Sequence, residues 1–286
     1  MSVPGIDVSD FQHPVNWSAV ANQGIKFALI KATEGKSFRA DTFQDKWQQA
    51  RSVGILRGAY HFFRPTRTGE DQADNFLQAL NLAGGLEAND ISPVLDIEVK
   101  DGISGEVIRE RCLTWLAKVE AETGRKPIIY TGASYGDTNL SVNAQFADYP
   151  LWVAHYTRGK PWVPGRWKTC AIWQYTDKGN VKGISGNIDL NWFNGSLDAL
   201  VTFATGDSSQ VRNDSLFDNL INRGDEGEVV RKVQQLLIAK GYDVGSTRAD
   251  GDFGANTEAA VTRFQRDNNL PITGIVDPAT FEKLSQ

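Results

Sequence analysis

"PVLDIEVK" spans residues 93–100 and has the composition of a buried strand, except that it carries two acids. Side chains on a strand alternate between its two faces, so Asp96 and Glu98, two positions apart, are predicted to share one face. Burying unpaired charge is costly in free energy, and a strand that only filled a core would gain nothing from two carboxylates. The pair therefore indicates a functional edge of a sheet.

Similar short apolar runs recur through about residue 205 and alternate with amphipathic stretches. Apolar residues recur at helical spacing over 41–54, 70–85 and 105–124, which predicts three helices. Strands with interleaved helices predict an α/β fold, here a TIM-like β/α barrel. The later connections are short, so we expect an irregular barrel with fewer than eight proper helices. The predicted strands cover 5–11, 27–33, 57–63, 93–99, 127–133, 151–156, 171–176 and 187–193.

Polar and aromatic residues occur near the C-terminal ends of these runs, where the active site of a β/α barrel lies. Any single acid at such a position could instead cap a helix or pair with a nearby cation. Acids at several strand ends, with aromatic residues between them, are harder to explain in that way. The candidate site residues are Asp7, Tyr60, His61, Asp96, Glu98, Tyr130, Trp152, His155, Trp173, Gln174 and Asp189.

Glycoside hydrolysis fits this set of residues. Two carboxyl groups beside a glycosidic bond can cleave it, because one protonates the leaving oxygen and the other supports the positive charge that develops. Burial and mutual repulsion raise the pKa of one of them, so one acid stays protonated while the other is ionised. The chain has eight tryptophans, four of them between 152 and 173. Each could be a core residue, but as a cluster they favour walls that stack on sugars.

A metal centre is the rival interpretation. The histidines are His13, His61 and His155, and no two have the i, i+4 spacing of a helical zinc motif. The two cysteines do not form a metal-binding pair either. We therefore expect no metal and no cofactor, and we expect His61 and His155 to hydrogen-bond carboxylates or substrate.

Composition limits the partners. The net charge is −5 and no run is rich in Lys or Arg, which argues against nucleic acid and against an anionic membrane as partners. Cys112 and Cys170 are too few and too far apart for a disulfide framework, so we expect both to be reduced and buried. The N-terminal residues lack the basic and apolar regions of a secretory signal, which favours synthesis in the cytoplasm.

A second, smaller part follows a polar stretch, "TGDSSQVRNDS" at 205–215. We place the barrel at 1–205, a linker at 206–221 and a small three-helix domain at 222–286. Thr257 is predicted as the N-cap of the second of those helices. The linker composition predicts few contacts between the two parts.

Eight blocks of the first part, in order, resemble glycoside hydrolase family 25 lysozymes, the N-acetylmuramidases that include many phage endolysins. This resemblance implies cleavage of the β-1,4 bond between N-acetylmuramic acid and N-acetylglucosamine in peptidoglycan, without a metal. The blocks are "GIDVSDFQ", "FALIKATEG", "GAYHFF", "PVLDIE", "YTGASY", "LWVAHY", "IWQYT" and "GISGNIDLN".

The resemblance also implies roles for single residues. Glu98 matches the general acid and Asp96 the acid that assists it. Asp7 and Asp189 match the two further acids of the family's site.

Tyr60 and Tyr130 match residues that line the family's cleft. The mechanism stays open, because an enzyme nucleophile requires carboxyl groups about 5–5.5 Å apart and inversion requires about 6.5–9.5 Å. The resemblance implies net retention, and the D-x-E pair favours a substrate-assisted route in which the acetamido oxygen of the sugar attacks.

The second part resembles the peptidoglycan-binding domain type 1 in "RGDEGEVVRKVQQLL", "GDFGANTEAAVTRFQ" and "TGIVDPATFEKL". Together the two resemblances predict a wall-lytic muramidase, which we expect to be a monomer with peptidoglycan as both substrate and ligand. A chitinase-like glycosidase and a catalytically silent wall-binding protein are the alternatives. We expect either a phage endolysin made in the host cytoplasm or an enzyme exported by another route.

Overall fold

The computed structural model describes residues 2–157, 160–206 and 220–286, and most of the linker predicted at 206–221 lies outside these ranges. Within them, each of the predicted strand runs overlaps an observed strand, and one further short strand is present. The strands are β1 (Val3–Val8), β2 (Phe27–Glu34), β3 (Phe38–Arg39), β4 (Leu56–Phe62), β5 (Ile91–Asp96), β6 (Ile128–Gly132), β7 (Leu151–Ala154), β8 (Ile172–Gly179) and β9 (Ile188–Phe193).

Eight of these strands close a barrel, because β1 pairs with β2 on one side and with β9 on the other. β3 is a two-residue addition to β2. β9 runs antiparallel to both its neighbours, whereas the other barrel pairs are parallel. Residues 180–187 join β8 to β9, and this connection is too short for the helical crossover that parallel strands require. The irregular α/β barrel predicted from the sequence is confirmed.

The three predicted helices of the barrel correspond to α2 (Phe43–Ser52), α3 (Gly69–Leu82) and α4 (Gly105–Thr123). Thr68 and Ser104 cap α3 and α4, because each side chain accepts a hydrogen bond from a backbone N–H of the first turn. Gly124 ends α4 with φ at 67°, a left-handed conformation that favours glycine. The barrel helices are α1 (Trp17–Asn22), α2 (Phe43–Ser52), α3 (Gly69–Leu82), α4 (Gly105–Thr123), α5 (Ala133–Tyr135) and α6 (Leu197–Ala204), with a π-helical turn (Gly136–Leu140) and a 3₁₀ helix (Ala144–Asp148) after α5.

Side chains of the barrel strands alternate between two apolar cores. Outward-facing residues pack with the helices around Trp47 and other large side chains. Inward-facing residues such as Phe27 and Leu29 fill the barrel, where Leu200 and Phe203 of α6 join them. β9 leads into α6 at the N-terminal end of the parallel strands. The apolar side chains of α6 therefore close that end of the barrel. The opposite end, which we call the rim, is left for polar side chains.

The C-terminal module has three helices with a core of their own, in which Val233 and Phe264 are fully buried. The predicted N-cap of its second helix is wrong, because Gly254 occupies that position. Thr257 instead lies buried in the first turn, where its hydroxyl accepts a hydrogen bond from Gln234 Nε2 at 3.1 Å. The helices are α7 (Glu228–Ala239), α8 (Ala255–Asp267) and α9 (Pro278–Ser285).

The module packs against the barrel. Leu220, 6% exposed, belongs to the outer barrel core, and Ile275 packs against the same core. Lys182 Nζ of the barrel donates a hydrogen bond to Asn269 Oδ1 of the module at 2.7 Å. These are few contacts, as the linker composition predicts, but they place the module against the outer face of the barrel.

Both cysteines, Cys112 and Cys170, are buried and free, as predicted. Among the described residues, the helices are either too short or too polar to cross a membrane.

Candidate active site

Asp96 is the last residue of β5, and Glu98 lies two residues beyond it on the rim. β5 runs between β4 and β6, with Asp96 in register with Phe62 and Tyr130. The Ile97 N–H donates to the Tyr130 carbonyl at 2.9 Å, which continues the ladder by one residue. Asp96 is consequently 5% exposed whereas Glu98 is open to solvent. The two acids thus occupy the floor and the mouth of one site.

Asp96 is a buried acid with an unsatisfied oxygen. Its Oδ1 accepts no hydrogen bond within the described structure. Burial, followed by the charge of Glu98, raises the pKa of Asp96 well above its usual value, although Lys31 opposes this. Leaving a buried acceptor unmatched costs about 1–3 kcal/mol. An oxygen held in this state at an open site is available to a donor from a ligand.

Glu98 has a raised pKa as well, although it stands at the mouth of the site. Partial desolvation by the rim is the largest cause, and Asp189 adds to it, while the positive charge of Lys31 lowers the pKa. Lys31 itself is held by an ion pair with Glu34 at 2.7 Å. A carboxyl group with a raised pKa and access to solvent has the properties of a general acid.

Asp7 and Asp189 face each other across the β1–β9 pair. Asp7 is 7% exposed, and its Oδ2 accepts hydrogen bonds from Gln174 Nε2 at 2.9 Å and from Asn191 Nδ2 at 2.7 Å. Burial and the adjacent Asp189 charge raise the pKa of Asp7 well above its usual value, and the two carboxyl groups are hydrogen-bonded to each other. The two carboxyl groups therefore act as one hydrogen-bonded pair at the rim.

A chain of hydrogen bonds fixes this pair to the aromatic residues of the rim. Gln174 Oε1 accepts from the hydroxyls of Tyr130 at 2.9 Å and Tyr156 at 2.8 Å. Asn191 Oδ1 accepts from Trp152 Nε1 at 2.8 Å. Because each amide uses its oxygen for an aromatic donor, its NH₂ group is turned toward Asp7. Gln174 therefore orients Asp7 directly, and Trp152 orients it through Asn191.

Tyr60 lies among the acids, inside the barrel. Burial and the charges of Asp7 and Asp96 raise the pKa of Tyr60 well above its usual value, so its hydroxyl is neutral and can donate. Its ring meets the Trp152 ring edge-on, with centroids 6.4 Å apart.

An open cavity of about 420 Å³ lies above these residues, and we call it the cleft. His155 lines it, and its Nδ1 accepts a hydrogen bond from the Trp162 N–H at 2.9 Å. The Trp162 ring is 47% exposed, which leaves a free aromatic surface at the cleft. The cleft residues are Glu98, Tyr130, Gly132, Ala133, Ser134, Tyr135, Ala154, His155, Tyr156 and Trp162.

His61 and Trp173 do not reach the cleft, and their predicted contact with substrate is corrected. His61 follows the inward-facing Tyr60, and Trp173 precedes the inward-facing Gln174. Since side chains alternate along a strand, both point to the outer core. His61 is fully buried, hydrogen-bonded to Thr33 at 2.7 Å and stacked on Trp115. Trp173 is 1% exposed and donates its ring N–H to the His155 carbonyl at 2.8 Å. Trp152 does face inward but is 2% exposed and lies beneath Tyr130.

Sequence reasoning missed several site residues. Asn191 lies two positions after Asp189, so strand alternation alone could have placed it beside the acids. Trp162 belongs to the tryptophan cluster predicted to stack on sugars, and Tyr156 ends the predicted strand run at 151–156, but both lie after the end of β7 in irregular chain, where no periodicity predicts a direction.

No group of three or more His, Cys, Asp or Glu side chains within the described ranges has a geometry suited to a metal ion.

Comparison with known proteins gives consistent results. A family model described as "Glycosyl hydrolases family 25" matches residues 6–184, and one described as "Putative peptidoglycan binding domain" matches residues 226–284. "Lysozyme M1" of Streptomyces globisporus is 42% identical over 211 residues, which cover 71% of this chain and 71% of that protein. The "Autolytic lysozyme" of Clostridium acetobutylicum is 30% identical over 268 residues, covering 94% of this chain and 74% of that protein. The crystal structure of a bacterial lysozyme from Streptomyces coelicolor superposes with a TM-score of 0.68 at 39% identity, covering 72% of this chain and 98% of that one.

Proposed function

Because this chain belongs to glycosyl hydrolase family 25 and is a lysozyme-type glycoside hydrolase acting on peptidoglycan, we propose that it cleaves the β-1,4 bond between N-acetylmuramic acid and N-acetylglucosamine. The observation that carries the proposal is the buried, unpartnered Oδ1 of Asp96, two residues from a solvent-facing Glu98 of raised pKa. A free acceptor beside an acid suits a sugar that carries an acetamido group.

In the mechanism that this geometry supports, Asp96 Oδ1 accepts the acetamido N–H of the sugar in the cleft. That hydrogen bond holds the acetamido oxygen against the anomeric carbon. The oxygen forms a bond to this carbon while the bond to the leaving oxygen breaks, and Glu98 gives its proton to the leaving oxygen. Water then attacks the anomeric carbon, Glu98 takes a proton from it, and the acetamido group is released with net retention.

The Asp7–Asp189 pair stabilises the positive charge that develops at the reacting sugar. Asp7 of this pair is buried on the inner face of the barrel, and hydrogen bonds from Gln174 and Asn191 fix its carboxyl group in place before substrate arrives. Tyr60 lies within the field of the same acids and can donate its hydroxyl proton to substrate oxygens.

The test identifies the new reducing end. Purified peptidoglycan is digested, the products are reduced with borohydride, and the terminal sugar alcohol is determined by mass spectrometry. We expect N-acetylmuramitol and no products from chitin, with the Glu98→Gln variant as the inactive control. N-acetylglucosaminitol, or equal cleavage of chitin, would contradict the assigned bond.

We also propose that the C-terminal module anchors the enzyme to the wall. The match to a peptidoglycan-binding family over residues 226–284 supports this. A binding module raises the effective concentration of the enzyme on an insoluble polymer. In a pelleting assay with purified walls, the full-length Glu98→Gln variant should sediment and its truncation after Gly206 should sediment much less. Equal sedimentation would remove the anchoring role.

A role as a phage endolysin, acting on the wall from the host cytoplasm, is our proposal for the biological context. A catalytic barrel joined to a wall-binding module is suited to rapid lysis from a small amount of enzyme. Cytoplasmic expression should leave cells intact until a membrane pore is opened by a second protein. Lysis or wall labelling without that pore would favour an enzyme exported by another route.

A further inference from the structure

A second cavity, of about 180 Å³, lies where the module meets the barrel, and we call it the junction cavity. The barrel contributes Thr157, Tyr175 and Lys178 to its lining, and the module contributes Asn222, Arg223 and Glu258. Ile275 of the module also lines this cavity and packs against the outer barrel core, to which Leu220 belongs.

The junction cavity lies beside the cleft. Tyr156 lines the cleft and Thr157, the next residue, lines the junction cavity. Leu190, next to the rim acid Asp189, also lines the junction cavity. Adjacent residues are about 3.8 Å apart at Cα, so both cavities border the same short segment of chain, and an extended peptide of several residues, at about 3.3–3.6 Å per residue, is long enough to run from one to the other.

The lining contains a buried acceptor without a partner. Asn222 is 7% exposed, its backbone N–H donates to Asp225 at 2.8 Å, and its side-chain Oδ1 accepts no hydrogen bond within the described structure. Buried amide oxygens are normally paired, because an unpaired one costs free energy. Asn222 also lines the junction cavity, so its amide can meet a donor from a ligand there.

Two opposite charges complete the lining. Arg223 Nη1 and Glu258 Oε2 are 3.2 Å apart, and both side chains are 37% exposed. A partly exposed pair of this kind contributes little to stability. It can, however, receive a carboxylate on the Arg223 side and an amine or amide on the Glu258 side.

We propose that the junction cavity binds the peptide stem of peptidoglycan while the attached glycan occupies the cleft, an inference that rests on the proposed function. The volume is below the roughly 300–1,000 Å³ of pockets that enclose larger ligands, which suits one amino-acid unit. A sugar is disfavoured because the Tyr175 ring is stacked on Trp192 at 5.6 Å and is 7% exposed, so it presents no open face. The unpaired amide oxygen and the ion pair suit the amides and carboxylate of a peptide.

The test compares glycan strands that carry peptide stems with strands from which an amidase has removed them. The selectivity ratio is kcat/KM on the first divided by kcat/KM on the second. Asn222→Ala and Arg223→Gln should each lower this ratio by about tenfold, the scale of a hydrogen bond to a charged or buried group. Arg263→Gln, an exposed charge change on the helix that carries Glu258, is the matched control and should keep the ratio.

Thermal unfolding separates binding from a structural role. Removing an unsatisfied acceptor should leave the Tm of Asn222→Ala equal to or above that of the wild type, whereas a structural Asn would lower it. A lowered Tm together with an unchanged ratio would overturn the proposal, and so would a wild-type ratio near one.

A binding measurement keeps this inference apart from the proposed function. A soluble stem tetrapeptide is titrated into full-length Glu98→Gln by calorimetry, and Asn222→Ala is added in the same background. Binding that Asn222→Ala weakens supports the junction site even if the digest shows a different scissile bond. Normal muramidase products with no tetrapeptide binding would remove the junction site and leave the proposed function intact.

Discussion

Asp7 and Asp96 are both buried acids on the inner face of the barrel, yet their hydrogen bonding differs. Asp7 accepts hydrogen bonds from Gln174 and Asn191 and is paired with Asp189. Asp96 has an oxygen with no partner. Burial raises the pKa of both above the usual value, so burial alone does not distinguish them.

The difference indicates two roles. Asp7 is held by side chains of β8 and β9, so its position is fixed before substrate arrives. Asp96 lacks that support at one oxygen, which is left for the substrate. An enzyme accelerates its reaction through interactions that are stronger in the transition state, and Asp96 is placed to make one of them.

The largest expected effect is at Glu98, which gives a reference for the two buried acids. Glu98→Gln should lower kcat by about 10²–10⁴-fold, because an amide cannot protonate the leaving oxygen. Release of soluble reducing ends measures this, and circular dichroism checks that folding is unchanged. A variant with more than about a tenth of wild-type activity would exclude Glu98 as the acid.

Asp96→Asn should have the next largest effect on kcat. A neutral amide cannot supply the negative charge that stabilises the reacting acetamido group, so we expect kcat to fall by about 10²-fold or more. KM should change less than kcat, since the interaction strengthens in the transition state. Near-normal turnover would show that the free Oδ1 does not meet the substrate.

Asp7→Asn should lower kcat less than Asp96→Asn does. An Asn oxygen can still accept hydrogen bonds from Gln174 and Asn191, and its NH₂ group can donate to Asp189. Asp7→Ala, in contrast, leaves both donors unpaired and should lower the free energy of unfolding by about 1–3 kcal/mol. Urea denaturation of the two variants measures this difference, and equal stability would contradict the hydrogen-bonded arrangement.

The pH dependence of stability should also distinguish wild type from Asp96→Asn. The folded pKa of Asp96 is raised, so the folded state binds more protons than the unfolded state above about pH 4. Its contribution is complete below the unfolded pKa and is lost as pH rises through the folded pKa, at up to about 1.4 kcal/mol per pH unit. Tm measured between pH 4 and 8 should fall less steeply in Asp96→Asn, and parallel curves would contradict the buried, raised acid.

The smallest effect on activity is expected at His61, one position from Tyr60 but in the outer core. His61→Leu should keep kcat while it lowers the free energy of unfolding by about 1–3 kcal/mol, because Thr33 and Gln72 lose a partner. Burial lowers the pKa of His61 to about 4. Its stabilising effect is therefore present above the unfolded pKa of about 6.5 and is lost as pH falls toward 4. A large loss of kcat in well-folded His61→Leu would return this residue to the site.

Sequence alone determined much of this protein. The spacing of apolar runs predicted the barrel, because strand and helix periods differ. The four acids were predicted near the C-terminal ends of the strands, but Asp189 lies at the start of β9, and the antiparallel direction of that strand brings its start to the rim. Ordered blocks of residues identified the family, and the three-helix tail was predicted from its own periodicity.

Tertiary structure decided which neighbours share a face. Tyr60 faces the acids while His61 does not, and Gln174 reaches Asp7 while Trp173 does not, because barrel closure turns alternate side chains to separate cores. It also decided that Asp96 keeps an unpaired oxygen and that the module rests on the barrel to form the junction cavity. These properties depend on residues far apart in the chain, such as Thr157 and Asn222, and local periodicity carries no information about which of them meet.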